Sequence, residues 1–178
     1  MKRLREGTAR VVQAAQVGQI RLVDARCSAS IRTGGDIPHD AQLSIATGAR
    51  VAQPLDAEAC FRVQARVDVR VSSEAANQPQ LVLIEAVFEI LYRLPPELRP
   101  SEEDLDEFAD ANGLFNAWPY LRQFVADTSQ RMEIPTILLP LYRATRDPHV
   151  IRRGVAAPRL AGGPASSKSP ARSGPGKL

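Results

Sequence analysis

Two cysteines and two histidines among 178 residues leave too few soft ligands, at no close ligand spacing, for a structural zinc site. Cys27 and Cys60 both lie in strand-like stretches. There a reduced thiol is expected to be buried as a small hydrophobe, with no disulfide in a cytoplasmic chain. Missing as well are a phosphate-cradling glycine loop followed by Lys and Ser or Thr, a dinucleotide fingerprint, and paired histidines on one helix face. No cofactor, metal or catalytic residue is therefore expected, and the chain is read as a non-enzyme. Ser44, His39 and Asp40 could be drawn as a triad, but they fall within one short loop and strand start, from which their side chains diverge. No apolar run reaches the roughly 18 to 20 residues of a membrane span. The longest, Leu81 to Leu91, contains Glu85 and Glu89. The basic start (Lys2, Arg3, Arg5) is not followed by the apolar centre of a signal peptide, so a cytoplasmic location is expected.

What is present is an ordinary globular composition, 44% hydrophobic and 24% charged, at a length suited to one domain. The net charge of +3 is unevenly placed. Residues 151–178 hold six bases and no acid, so residues 1–150 carry 17 bases against 20 acids. The same terminal segment is rich in Pro, Gly and Ser and has little apolar content to offset the entropy of ordering. The division expected is a folded domain over 1–150 and a disordered basic tail over 151–178.

Within that domain, residues 6–19 read as a short helix that needs a partner to persist. Alternation predicts a first strand from Ile20 to Ile31, with Val23, Ala25, Cys27, Ala29 and Ile31 on one face, and a weaker second over 41–53. The third is the clearest: Phe61, Val63, Ala65, Val67, Val69 and Val71 alternate with Arg62, Gln64, Arg66, Asp68 and Arg70. Leu81 to Arg93 forms the fourth, antiparallel to it, with Val63 opposite Phe88, Val67 opposite Ile84, and Arg66 and Arg62 opposite Glu85 and Glu89. The second face of this strand carries Leu81, Leu83, Val87 and Leu91, more apolar surface than water alone requires, so part of it should be covered. Ser101, with an acid three residues on, caps a helix that Gly113 closes; its acidic run, Glu102 to Asp110, reads as a solvated face. A second helix runs from about Ala117 to Met132 with Pro119 in its first turn, and Pro135 breaks it. Thr136 to Tyr142 is then an apolar segment unsuited to an internal strand because of Pro140.

The order of parts in residues 114–143 resembles the SecB export chaperones and their SecB-like relatives. The features are Trp118-Pro119-Tyr120, Arg122, Arg131, Ile134-Pro135 and Leu138-Leu139-Pro140, with Phe88-Glu89-Ile90 and Tyr92 similar to the end of the family's last strand. The resemblance implies an α+β fold: a four-stranded antiparallel sheet with helices packed on one face. It further implies a homotetramer, a dimer of dimers with the long helices between the sheets, for which Leu121, Phe124, Val125 and Thr128 are the matching oligomer-interface residues. The implied activity is that of an ATP-independent holdase for unfolded or extended clients, either preproteins delivered to SecA or an antitoxin. Leu114, Phe115, Trp118, Tyr120, Ile137, Leu139, Leu141 and Tyr142 are the matching client-binding residues.

Two departures bear on partners. Thr145 to Gly154, with Pro148 and four charges, stands where the family has an amphipathic C-terminal helix, and the sheet presents Arg62, Arg66 and Arg70 where SecA docking would call for acids. The alternative is a nucleic-acid-binding module that uses this Arg-lined face and the basic tail. The mildly acidic body and the lack of aromatics between the arginines weigh against it.

Overall fold

The computed structural model describes residues 4–31, 38–73 and 80–142, and the backbone of 151–154. Helix α1 (Glu6–Ala14) is followed by strands β1 (Gln16–Ala29), β2 (Gln42–Gln53), β3 (Cys60–Ser72) and β4 (Gln80–Arg93), helix α2 (Glu102–Phe108), a π turn (Ala109–Gly113), helix α3 (Leu114–Arg131) and a short β5 (Ile151–Gly154). The strands form one antiparallel sheet in the order β1-β4-β3-β2-β5. The four expected strands are thus present, with helices on one face. β5 pairs with Gln42–Ile45 at the β2 edge. The sheet therefore reaches into 151–178, the segment read as tail, because edge pairing uses backbone groups and needs no apolar period. The rest of that segment lies outside the described residues.

β3 behaves as its alternation requires. Phe61, Val63, Ala65, Val67 and Val69 are fully buried under the helices, while the arginines between them face out. The register corrects the expected one by two residues: Val63 pairs with Ile90 and Val67 with Ala86. A two-residue shift preserves every face, because side chains alternate with period two. Arg66–Glu85 and Arg62–Glu89 consequently form as diagonal ion pairs at 3.0 and 3.2 Å.

β1 corrects a second expectation. It begins at Gln16, and register shifts at Val17/Gln19 and Leu22/Asp24 bring Leu22, Ala25 and Cys27, not Val23, onto the helix side. The helix layer lies over β2, β3 and β4, so this edge strand stays exposed along nearly its whole length. Cys27 is therefore exposed, against expectation, whereas Cys60 is buried and both thiols are free.

α1 finds the partner its weak pattern needs. Buried Thr8 donates to Glu107 Oε2 at 2.8 Å, and Arg5 pairs with Glu103. Ser101 accepts from the Asp104 amide while the Asp104 carboxylate accepts from the Ser101 amide, a complete capping box at the start of α2.

Gly113 does not end a helix. It has right-handed helical dihedrals, and the chain passes from α2 through the π turn into α3 without a break, which puts Pro119 inside α3. Its role is proximity: a Cβ there would lie 2.5 Å from Val63 Cγ1 and 3.4 Å from Ala49 Cβ. Gly113→Ala should therefore cost about 1–3 kcal/mol through overpacking, despite the better helix propensity of Ala. Chemical denaturation checks this, and a stabilised variant would mean that Gly113 serves helix geometry alone.

Candidate functional site

α3 buries Leu114, Ala117, Trp118, Leu121, Val125 and Ser129 against the sheet. At its end Glu133 takes a left-handed φ of 54°. The Ile134 amide donates to the Ser129 carbonyl, and the chain turns back along the helix. In this return segment Ile137 and Leu139 enter the core, while Leu138 and Leu141 are 62% and 77% exposed. The alternation is that of an extended chain. Trp118 Nε1 donates to the Pro140 carbonyl at 3.0 Å, which ties the return segment to the first half of α3. Tyr142 completes the contact, its ring 5.3 Å from Trp118 and 5.9 Å from Phe115. Burial, together with the negative charge of Asp110, raises the Tyr142 hydroxyl above its ordinary value.

The expected client-binding residues therefore divide. Phe115 and Leu141 are exposed, and Tyr142 is half-buried beside them. Leu114, Trp118, Ile137 and Leu139 are buried and support them from beneath. Tyr120 points elsewhere: its ring is 6.1 Å from Phe88, which also meets Phe124 at 6.2 Å edge to face. Leu22 of β1 pairs in register with Phe88 and is 44% exposed. A second apolar surface thus runs from α3 onto the uncovered edge strand β1. Of the expected oligomer residues, Leu121 and Val125 have no exposed surface in the single chain, whereas Phe124 and Thr128 are half-buried. The first two are core residues because helical period 3.6 turns them toward the sheet.

Sequence reasoning did not place Leu138, Leu22 and Phe88 in these surfaces. Leu138 could have been found by alternation with Ile137 and Leu139; Leu22 could not, since the bulge that turns it is not written in the apolar pattern. His39 is exposed in a turn, and Asp40 accepts from Ser73 Oγ at 2.7 and 2.9 Å. Ser44 lies in β2 opposite Arg70, so the three do not converge. Beneath the site, Asn116 Nδ2 donates to the Tyr92 hydroxyl at 2.9 Å. Burial outweighs that bond and pushes the Tyr92 hydroxyl up to about 12.

On the opposite face of the sheet, Glu89 accepts from Arg21, Arg62 and Gln64. Burial raises its proton affinity, but these bonds and the two guanidinium charges outweigh burial and hold the carboxyl below its ordinary value. Among the described residues, no group of His, Cys, Asp and Glu could hold a metal ion, and no helix is long and apolar enough to cross a membrane.

No family model matches the chain, and no curated protein matches it. Among solved structures it is similar to the SecB-like chaperone Rv1957 of Mycobacterium tuberculosis, solved in complex with a ChAD peptide from the Rv1956 HigA1 antitoxin. The TM-score is 0.67 with 21% identity, over 78% of this chain and 98% of that one. The two share a fold. A protein of unknown function from Streptococcus agalactiae aligns at a TM-score of 0.39 with 12% identity, over 71% of this chain and 97% of that one, too weakly to carry an argument.

Proposed function

We propose that the chain is an ATP-independent holdase that keeps extended client segments from aggregating. The observation that carries this is the shelf formed by exposed Phe115 and Leu141 at the Trp118–Tyr142 pair, with exposed Leu138 on the same return segment. Phe115, Leu138 and Leu141 are the large apolar side chains more than half exposed among the described residues, all on α3 and its return segment, and such exposure marks a binding surface. The SecB-like chaperone fold supports it, as does the antitoxin peptide bound by the mycobacterial neighbour. The second surface, Leu22 and Tyr120 around Phe88 and Phe124, is assigned to assembly as a homotetramer, a dimer of dimers acting in the cytoplasm. An antitoxin-type client is placed ahead of preprotein export. Docking on SecA through acidic sheet residues finds little support on an outer face where Arg62, Arg66 and Arg70 stand.

The test is light scattering of an aggregating client, without ATP, against wild type and the double variant Leu138→Ser with Leu141→Ser. Both side chains are exposed, so the fold should be kept, and protection should fall by about tenfold in the concentration required, equivalent to roughly 1.4 kcal/mol of lost apolar contact. Native mass should be near four times 19.4 kDa. Undiminished protection in the double variant, or none in the wild type, would overturn the assignment.

A further inference from the structure

The outer face of the sheet is the feature this function leaves unused. The β1, β2, β3 and β4 registers place seven arginines there (Arg21, Arg26, Arg50, Arg62, Arg66, Arg70 and Arg93) with only four acids, Asp24, Asp68, Glu85 and Glu89. The rest of residues 1–150 holds ten bases and sixteen acids. Positive charge is thus concentrated on one face of a domain that is negative elsewhere. Three of these acids are engaged, Glu89 with Arg21 and Arg62, and Glu85 and Asp68 with Arg66 and Arg70, and Asp24 lies on the exposed edge strand β1. Arg93 is exposed, at the end of β4.

The face is not simply ionic. Val87 and Leu91, both half-buried, lie between the arginine rows, with Val87 beside Arg66 and Leu91 beside Arg62 in register. At Leu91 the β1 bulge opens a cleft of about 560 Å³ lined by Gln16, Val17, Gly18, Gln19, Leu91 and Arg93. The cleft offers Val17 and Leu91 as its apolar part and Arg93 as its cation, with Arg62 next to Leu91 in register; such a surface takes an apolar side chain flanked by carboxylates.

We propose that this outer face, centred on Leu91 and bordered by Arg62 and Arg93 with Arg66 further along the sheet, docks an acidic segment of a partner protein that carries an apolar side chain among its carboxylates. A nucleic acid fits the same charge less well. The face offers no aromatic ring for stacking bases, whereas Val87 and Leu91 give an apolar side chain something to bury against. The site lies on the side of the sheet opposite the α3 shelf, so the two can be occupied and disabled separately.

Fluorescence anisotropy tests this with a labelled peptide of glutamates around two central leucines, its all-glutamine counterpart, and an oligo(dT), each at low and moderate salt. Wild type should bind the glutamate peptide, more weakly as salt rises, and bind the glutamine peptide at least about tenfold less well. Arg93→Glu, and independently Leu91→Gln, should each weaken the glutamate peptide by about tenfold while protecting an aggregating client as wild type does. Arg93→Lys should retain most of the binding. The proposal is overturned if wild type ignores the glutamate peptide, if neither variant weakens it, or if oligo(dT) binds more tightly with the same sensitivity to Arg93→Glu.

Discussion

Val67→Asp should unfold the protein or come close to it. Val67 has no exposed surface and sits mid-strand between Thr47 of β2 and Ala86 of β4, facing the helix layer. A carboxylate there has no cationic neighbour in register, and it loses its hydration without replacement. The expected cost is about 4–5 kcal/mol, at the severe end for single substitutions and comparable to the whole stability of many domains. Arg66→Ala, one residue away, should cost about 0–1 kcal/mol. The Arg66 side chain is 56% exposed, and its pairs with Glu85 and Asp68 at 3.0 and 3.5 Å lie in water's reach. Urea denaturation of both variants checks the contrast, and similar losses from the two would mean that the faces of β3 are misassigned.

Phe108→Ala should be nearly as damaging, for a different reason. Phe108 ends α2 and inserts into an aromatic triad with Phe61 at 5.5 Å and Tyr92 at 5.0 Å, both edge to face, while Phe61 and Tyr92 stack at 5.1 Å. Removing the ring leaves a cavity under the junction of α2 and the π turn. The expected loss is about 3–5 kcal/mol, including the two ring pairs. Because α1 is held by contacts to α2, through Thr8 and Arg5 to Glu107, amide exchange in α1 should rise together with that in α2. Phe108→Leu should recover more than half of the loss. A loss below about 1 kcal/mol for Phe108→Ala would show that the core repacks around the cavity.

Which residues of β3, β4 and α3 share a face was determined by the sequence alone, because strand parity and helical period are local properties that survive an error in pairing; in β1 the bulges broke the parity. The valines of β3 and the Leu121–Val125 stripe of α3 are buried for that reason, and the capping box at Ser101 needed only its own four residues. The candidate shelf was legible as a region, through Trp118-Pro119-Tyr120 and the proline-broken segment after Pro135. Its division into exposed Phe115 and Leu141 and buried Trp118 and Leu139 was not. That division depends on where the return segment lies against α3, a matter of contacts between residues some twenty apart. Tertiary structure likewise decided the two-residue register shift, since each strand's pattern fits equally well at either setting. It also made β1 an exposed edge: Cys27 and Leu22 have apolar side chains in a good strand sequence, but burial requires a covering layer, and the helices end at β4. Gly113 shows the limit most sharply. A glycine after a helical stretch reads as a stop when only propensity is known, whereas here Val63 lies too close to leave room for any side chain.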